Sequence, residues 1–535
     1  MKRRIFSILM TNLLLISMSS CNDWLNVPVD GQSTADELFE TGDGYRSALH
    51  GIYKSMASPT LYGRELQFGI IDFFSGQYDI NVNSSDVSNT MYIAAGKRAY
   101  KDVKLQPQID AIWLSAFNSI ASANDLIKHI QKESNEKFSA GKIERDDILG
   151  EAIASRAFLH FDMLRLFAPA PINDDGANYI PYVTEFPDKR ATHLPVKEVL
   201  GKIIADLEEA RTLVKPYDFS PLGFSASVSG EARFYNSLQY GMEGATNPAA
   251  QDQFFLGRGY RFSYWAITAL LARAHQYNST FDPASLDKAQ QYAEEVLEAT
   301  FDGANSSKYN PFKDERFSFT WVDQPEEMND IRMVSTLIMG LYNEKQLDIA
   351  GLESLFPREK SQHSTTLFII NRDGQDIFKT TTDIDETTTD IRSTRLIYEP
   401  KSSYRTYLST KWYVKEKNTK ERDRTITILP LLRTSELRYI LAECKARKGD
   451  YDGAYKIINE MRGNRGLDSY QLPIQNSWNG FMKDLVREGQ REWISEGQLF
   501  YLYKRLNAGV KRDNGTITPL SNEECILPMP AAETK

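Results

Sequence analysis

A chain of 535 residues, 41% hydrophobic and 25% charged, has the make-up of an ordinary globular protein, which excludes a disordered one. Its 63 basic and 72 acidic residues leave a formal charge of −9, the wrong sign for the basic footprint of a nucleic-acid binder. Three cysteines are too few for a disulfide scaffold. The length allows three or four domains at roughly 100–200 residues each. The aromatic share of 11% suits either a core or a stacking surface, so each ring has to be placed by its local pattern.

In chain order, Lys2, Arg3 and Arg4 precede a mostly apolar stretch from Ile5 to Ile16, and Ser17, Ser19 and Ser20 lead into Cys21. This reads as a signal peptide over 1–20, too short to stay as a membrane span. The junction resembles a bacterial lipoprotein lipobox, with Met18 where leucine is usual, so Cys21 is the expected lipidation site. A plain secreted protein is the alternative. No later segment holds eighteen uninterrupted apolar residues.

Thr34-Ala35-Asp36-Glu37 is a capping box, and Tyr45, Leu49, Ile52, Tyr53 and Met56 recur at helical spacing up to Pro59. Further helices are expected over about 109–131, 146–167 (stopped by Pro169 and Pro171), 194–210, 261–278 and 283–299. Helix returns at 431–448, where Gly449 fits the C′ position and Asp450 the next N-cap, then at 451–462 and as one last helix over 478–506. Between these lie non-periodic stretches at 60–105, 217–257 and 300–425. They contain a polar Thr380–Asp390 tract and, over 405–414, a short strand pair. Helix, short turn, helix is the unit of tetratricopeptide-type packing, and such units bury their apolar faces by stacking. The expected fold is therefore mainly α: a tetratricopeptide-like scaffold of helical pairs with long loop and short-strand insertions.

Catalytic patterns are missing. The six histidines are scattered, with no His-Glu-x-x-His, and neither Gly-x-Ser-x-Gly nor a P-loop occurs. A distant glycosidase-type carboxylate pair stays open as an alternative to solvated acids. No cofactor is expected; a structural calcium on Asp383, Asp385 and Asp390 is the alternative to a solvated loop, although the EF-hand order is absent. Aromatics without a structural task are the better lead, because a sugar's C–H face stacks on a flat ring while Asn and Asp bond its hydroxyls. Trp113, Trp265 and Trp493 fall in helix patterns and are expected in the core. Trp321, in non-periodic sequence beside Phe319, is the first platform candidate, followed by Tyr78 and Tyr92 with Asp79 and Asn81. Cys444 falls in a periodic helix and is read as a small core residue, Cys525 lies near the C-terminus, and a bridge between them is the alternative.

Eight segments in order, spanning essentially the whole mature chain, resemble the SusD/RagB family of outer-membrane lipoproteins of Bacteroidetes. They are Cys21-Asn22-Asp23-Trp24-Leu25, then Gly150-Glu151-Ala152 through Arg156-Ala157-Phe158 to Phe167, then Asp206-Leu207-Glu208-Glu209-Ala210. Next come Ala269 to Arg273, Leu432-Arg433 with Glu436 and Glu443, and Lys448-Gly449-Asp450-Tyr451 with Arg462 and Arg465. The last two are Glu488 to Gly497 with Lys504-Arg505, and Leu527-Pro528-Met529-Pro530. The family's Arg and Asp after the Glu-Gly of the last helix are replaced here by Leu499 and Leu502. Exchange of both partners of an ion pair for packed apolar side chains is expected to place both leucines in the core.

The resemblance implies one domain over 21–535. Its scaffold covers about 34–59, 107–168, 194–215, 258–300 and 430–507, with variable ligand-facing insertions at about 60–105, 217–257 and 300–425. It implies a non-enzymatic, surface-exposed protein that captures oligosaccharide or polysaccharide and passes it to a SusC-like TonB-dependent outer-membrane transporter. Alternatives are a peptide binder of the same family, an all-α glycan-active lipoprotein enzyme and a helical assembly scaffold.

Overall fold

A computed structural model describes residues 35–81, 90–187, 191–227, 230–235, 252–302, 308–312, 330–357, 366–399, 406–412, 425–512 and 514–533. Its principal helices are α1 (Gly42–Met56), α2 (Ile70–Phe74), α3 (Thr90–Gly96), α4 (Gln106–Ile130), α5 (Lys142–Phe167) and α6 (Val196–Asp218). They continue with α7 (Tyr264–Asn278), α8 (Ala284–Leu297), α9 (Thr434–Arg447), α10 (Tyr451–Gly463), α11 (Trp478–Glu492) and α12 (Leu499–Leu506). Each long helix packs on its chain neighbours: α4 on α5, α5 on α6, α6 on α7, α7 on α8, α8 on α9 and α9 on α10. The stacked helical pairs expected from the sequence are thus present. Gly449 takes a positive φ of 84°, and the Asp450 side chain accepts from the Gly453 N–H at 2.8 Å to cap α10.

Helix α5 is the axis of the stack and is buried on every side from Asp146 to Phe167. A helix buried all round must neutralise its polar residues internally. Arg258 and Arg261 do so for Asp147 and Glu151, Arg165 pairs with Asp162, and Arg156 reaches Asp206 on α6 at 2.7 Å.

The strands form five antiparallel pairs among the described residues. These are β1 (Asn178–Pro181) with β2 (His193–Pro195), β3 (Phe301–Asp302) with β4 (Lys308–Tyr309), and β5 (Leu337–Tyr342) with β8 (Ile428–Arg433). The others are β6 (Ile397–Tyr398) with β7 (Leu408–Ser409), and β9 (Gly509–Lys511) with β10 (Ile517–Pro519). Residues 431–433, expected to begin a helix, lie in β8. A short apolar run buried on both faces has no period to separate strand from helix. The strand expected at 405–414 exists as β7, but its partner β6 lies upstream of that interval.

Two further expectations are corrected. Residues 61–78, assigned to an insertion, are core: Leu61, Tyr62, Leu66, Phe68, Ile70, Ile71, Phe73 and Phe74 are all buried. Only Ile70–Phe74 of this segment is helical and most of the rest is turns, so no sustained period marks its burial. The last helix is two, broken over 493–498. Ser495 and Gly497 there take positive φ of 55° and 70°. The backbone groups freed by the break are taken up by distant side chains. Gln77 accepts from the Ser495 N–H at 2.6 Å, Asp72 accepts from the Gly497 N–H at 3.2 Å, and the Trp412 indole donates to the Ser495 carbonyl at 2.8 Å.

Leu499 and Leu502 are 2% and 5% exposed, as expected for an apolar replacement of an ion pair. Trp113, Trp265 and Trp493 are buried as expected. Cys444 and Cys525 are free thiols, both buried.

Candidate ligand-binding site

The chain emerges from the core at Tyr78, which bridges antiparallel to Ile370. Two backbone bonds fix this crossing, Asp79 N–H to the Ile369 carbonyl at 2.8 Å and Asn371 N–H to the Gln77 carbonyl at 2.7 Å. They bring residues 79–81 beside residues 371–375. The end of α3 and the β9–β10 hairpin supply the other walls. Between them lies a cleft of about 420 Å³, within the usual size range of small-ligand sites.

Asp79, Asn81, Asn371, Gln375 and Asn514 line it. Carboxamides and carboxylates offer paired donors and acceptors that match vicinal hydroxyls. Gln375 donates through Nε2 to the Lys511 carbonyl at 3.2 Å, while its Oε1 has no partner among the described residues. The basic side chains of the cleft are Lys97, Arg98, Lys511 and Arg512. Lys511 pairs with Asp376 at 2.5 Å. Arg512 bonds both oxygens of Glu524, at 2.5 and 3.0 Å, and this hydrogen bonding holds the Glu524 carboxyl at about 2.

The predicted polar residues Asp79 and Asn81 therefore meet in a cleft, whereas the predicted aromatics beside them do not. Tyr78 is 2% and Tyr92 7% exposed. The Tyr78 hydroxyl donates to Ser495 Oγ at 3.0 Å, inside the break between α11 and α12, and that of Tyr92 to Glu65 at 3.3 Å. Both rings pack with Phe73 and Phe368. A ring enclosed on both faces has none left for a sugar, so these two tyrosines are core rather than platforms. Trp321, Phe319 and Cys21 lie outside the described residues. Lys97, Arg98, the 371–375 wall and the wall of Val510, Lys511, Arg512 and Asn514 were not among the predicted site residues. The only local signal was the polar, glycine-containing character of 371–375.

The calcium alternative loses one of its ligands. Asp390 accepts from the Arg392 N–H at 2.9 Å, pairs with the Arg392 guanidinium at 2.8 Å, and lies 3.3 Å from Arg491. A carboxylate held by two guanidiniums has no free lone pairs facing solvent for a cation. Among the described residues no group of His, Cys, Asp or Glu is arranged to hold a metal ion. A second cavity of about 50 Å³, bounded by the Arg273–Glu436 and Arg505–Glu443 pairs, is too small for a sugar ring. No helix among the described residues is long and apolar enough to cross a membrane.

Comparison with known proteins agrees with this architecture. A SusD-like family model described as "Starch-binding associating with outer membrane" matches residues 70–227, and one described as "SusD family" matches residues 236–523. SusD-like protein P2 of Formosa agariphila is 26% identical over 264 residues, covering 47% of this chain and 46% of its own length. The match thus spans about half of that curated relative. Among solved structures, a SusD superfamily protein of Bacteroides fragilis superposes with a TM-score of 0.62 at 15% identity, covering 93% of this chain and 98% of that one. A SusD-like carbohydrate-binding protein of Bacteroides vulgatus gives 0.61 at 16% identity, covering 92% and 96%. At these identities the structural likeness speaks for the fold alone. With a family model covering more than half its length, and a helical-pair scaffold shared with those structures, the chain belongs to the SusD family.

Proposed function

We propose that this protein is a lipid-anchored glycan-binding protein of the outer membrane. It captures oligosaccharide non-covalently in the cleft around Asp79, Asn81, Asn371 and Gln375 and hands it to a SusC-like TonB-dependent transporter. The observation that carries the reading is the cleft itself, in which hydroxyl-matching amides from segments far apart in the chain converge on a rigid helical stack. Anchoring rests on the signal-like N-terminus and Cys21. Sugar as the ligand class is supported by the starch-binding description of the family model and by the likeness to a SusD-like carbohydrate-binding protein of Bacteroides vulgatus. The domain is read as single, with the cleft walls as its specificity elements.

Titration calorimetry of the full chain in detergent against a polysaccharide and peptide panel tests this. Binding of a glycan without turnover, lost in Asn81→Ala and Asn371→Ala variants that melt like the parent, is the expected result. Release of shortened products would make the protein an enzyme, and binding of peptides alone would make it a peptide receptor. Cys21→Ala should shift the protein from the membrane to the soluble fraction, and the transporter should co-purify with the parent.

A further inference from the structure

The charge of the cleft is opposite to that of the chain. Overall the protein carries −9, yet the cleft collects Lys97, Arg98, Lys511 and Arg512 against Asp79 and Glu524, with Asp376 behind Lys511. Two of these cations are already answered: Lys511 by Asp376 and Arg512 by Glu524. Lys97 has no ion pair among the described residues, and Arg98 reaches only Glu524, at 3.8 Å, whose oxygens Arg512 already bonds.

Arg98 is the unusual group. Its side chain is 9% exposed, and its Nε donates to the Phe74 carbonyl at 2.8 Å, which holds the guanidinium in place. The nearest carboxylate, Glu524, lies 3.8 Å from Nη1, beyond hydrogen-bond reach, and its oxygens are occupied by Arg512. Both terminal nitrogens of Arg98 therefore lack a hydrogen-bond partner among the described residues. Burial lowers its affinity for the proton, the direction expected of a cation that gives up water without full compensation. The backbone is also unusual here. Arg98 takes φ of 54°, a left-handed conformation that costs a non-glycine residue of order 1 kcal/mol or more and persists where a site requires it. Lys97, next to it, is exposed and has no ion pair among the described residues.

A pre-placed, under-neutralised guanidinium beside a free ammonium is a receptor for a planar or tetrahedral oxyanion. We propose that the cleft selects anionic glycans. In this assignment Arg98 and Lys97 bond a uronate carboxylate or a sulfate ester, and Asp79, Asn81, Asn371 and Gln375 take the neighbouring hydroxyls. This rests on the reading of the cleft as the glycan site and names its substrate class.

The test is calorimetry on the full chain in detergent with three probes: an oligogalacturonate, a sulfated galactan oligosaccharide and a neutral maltooligosaccharide, each at low and high sodium chloride. Expected is binding of at least one anionic probe, weakened by salt, with the two anionic arms separating carboxylate from sulfate. Lys97→Gln should weaken it about tenfold, and Arg98→Gln by at least as much, as for loss of a charge-assisted hydrogen bond. Lys97→Gln removes an exposed side chain and keeps the test valid should Arg98→Gln fail to fold. Lys132→Gln, exposed and outside the cleft, should change nothing. Equal, salt-insensitive binding of the neutral probe would overturn the anionic assignment, as would anionic binding indifferent to Lys97→Gln. If that neutral binding is lost in Asn81→Ala, the glycan-binding reading still stands. Binding of none of the three would overturn both.

Discussion

Arg462 on α10 and Glu488 on α11 form an ion pair at 2.6 Å with both side chains 1% exposed. Arg462 also donates to Glu386, and Arg392 meets Glu488 at 2.8 Å, so the pair belongs to a buried network that ties residues 386–392 to the scaffold. Removing one partner strands the others without water. Arg462→Met should cost about 3–5 kcal/mol in urea unfolding, whereas Arg462→Met with Glu488→Leu should recover part of it.

Acid stability follows from the same network. Burial alone would raise the Glu492 carboxyl, but Arg465 at 2.6 Å outweighs it and, with Arg392 and Lys411, leaves it at about 2; Glu488 is displaced downward likewise. An unfolded glutamate titrates near ~4.3. The stabilisation is therefore complete above that value and is lost as pH falls through about 2. The urea midpoint should fall steeply between these limits, and Glu492→Gln, although less stable at pH 7, should flatten the fall.

Around α5 the count is unequal. Asp147, Glu151 and Asp218 face Arg258 and Arg261, and all but Arg261, itself mostly buried, are fully buried. Burial pushes the Asp147 carboxyl above the usual carboxylate range; Arg258 and Arg261 oppose this, and Glu151 and Asp218 add to it. A carboxyl whose proton affinity rises on folding favours the folded state at low pH, so this site's contribution to stability falls as pH rises above the unfolded value near ~3.9. Asp147→Asn should remove that slope and be more stable than the parent at pH 9. Asp218→Asn, which deprives Arg258 of its 2.9 Å partner, should destabilise at every pH.

Lys504 has the opposite slope. Its ammonium donates to the Arg165 and Cys525 carbonyls at 2.7 and 2.6 Å without a carboxylate, and burial lowers it to about 7. Between there and the unfolded value near ~10.4 the unfolded chain binds more protons, so stability rises with pH. The difference in melting temperature between the parent and Lys504→Met should therefore change steadily from pH 7 to 10.

Tyr78 and Asn81 separate scaffold from site. Tyr78→Phe loses the bond to Ser495 and should cost about 1 kcal/mol of stability with unchanged glycan affinity. Asn81→Ala should do the reverse, measured by calorimetry and thermal melts on the same preparations.

Apolar spacing and the order of the motifs specify the helical stack and the family without any long-range contact. Apolar spacing, Gly449 and Asp450 are local devices, and they act as read. The charged motif residues Arg156, Asp206, Arg273, Arg433, Glu436, Glu443, Arg462, Glu488, Glu496 and Arg505 were equally visible, but their task was not. The structure joins them as Arg156–Asp206, Arg273–Glu436, Glu443–Arg505, Arg462–Glu488 and Arg433–Glu496. The motif is thus a set of buried and mostly buried pairs that tie the stacked helices, β8 and the break before α12 together. Only the tertiary structure could also show that Leu61 to Tyr78 are core, that the last helix breaks at Ser495, and that Asp79 meets Asn371 and Lys511. These depend on contacts between segments hundreds of residues apart, where no local rule fixes which side chains converge.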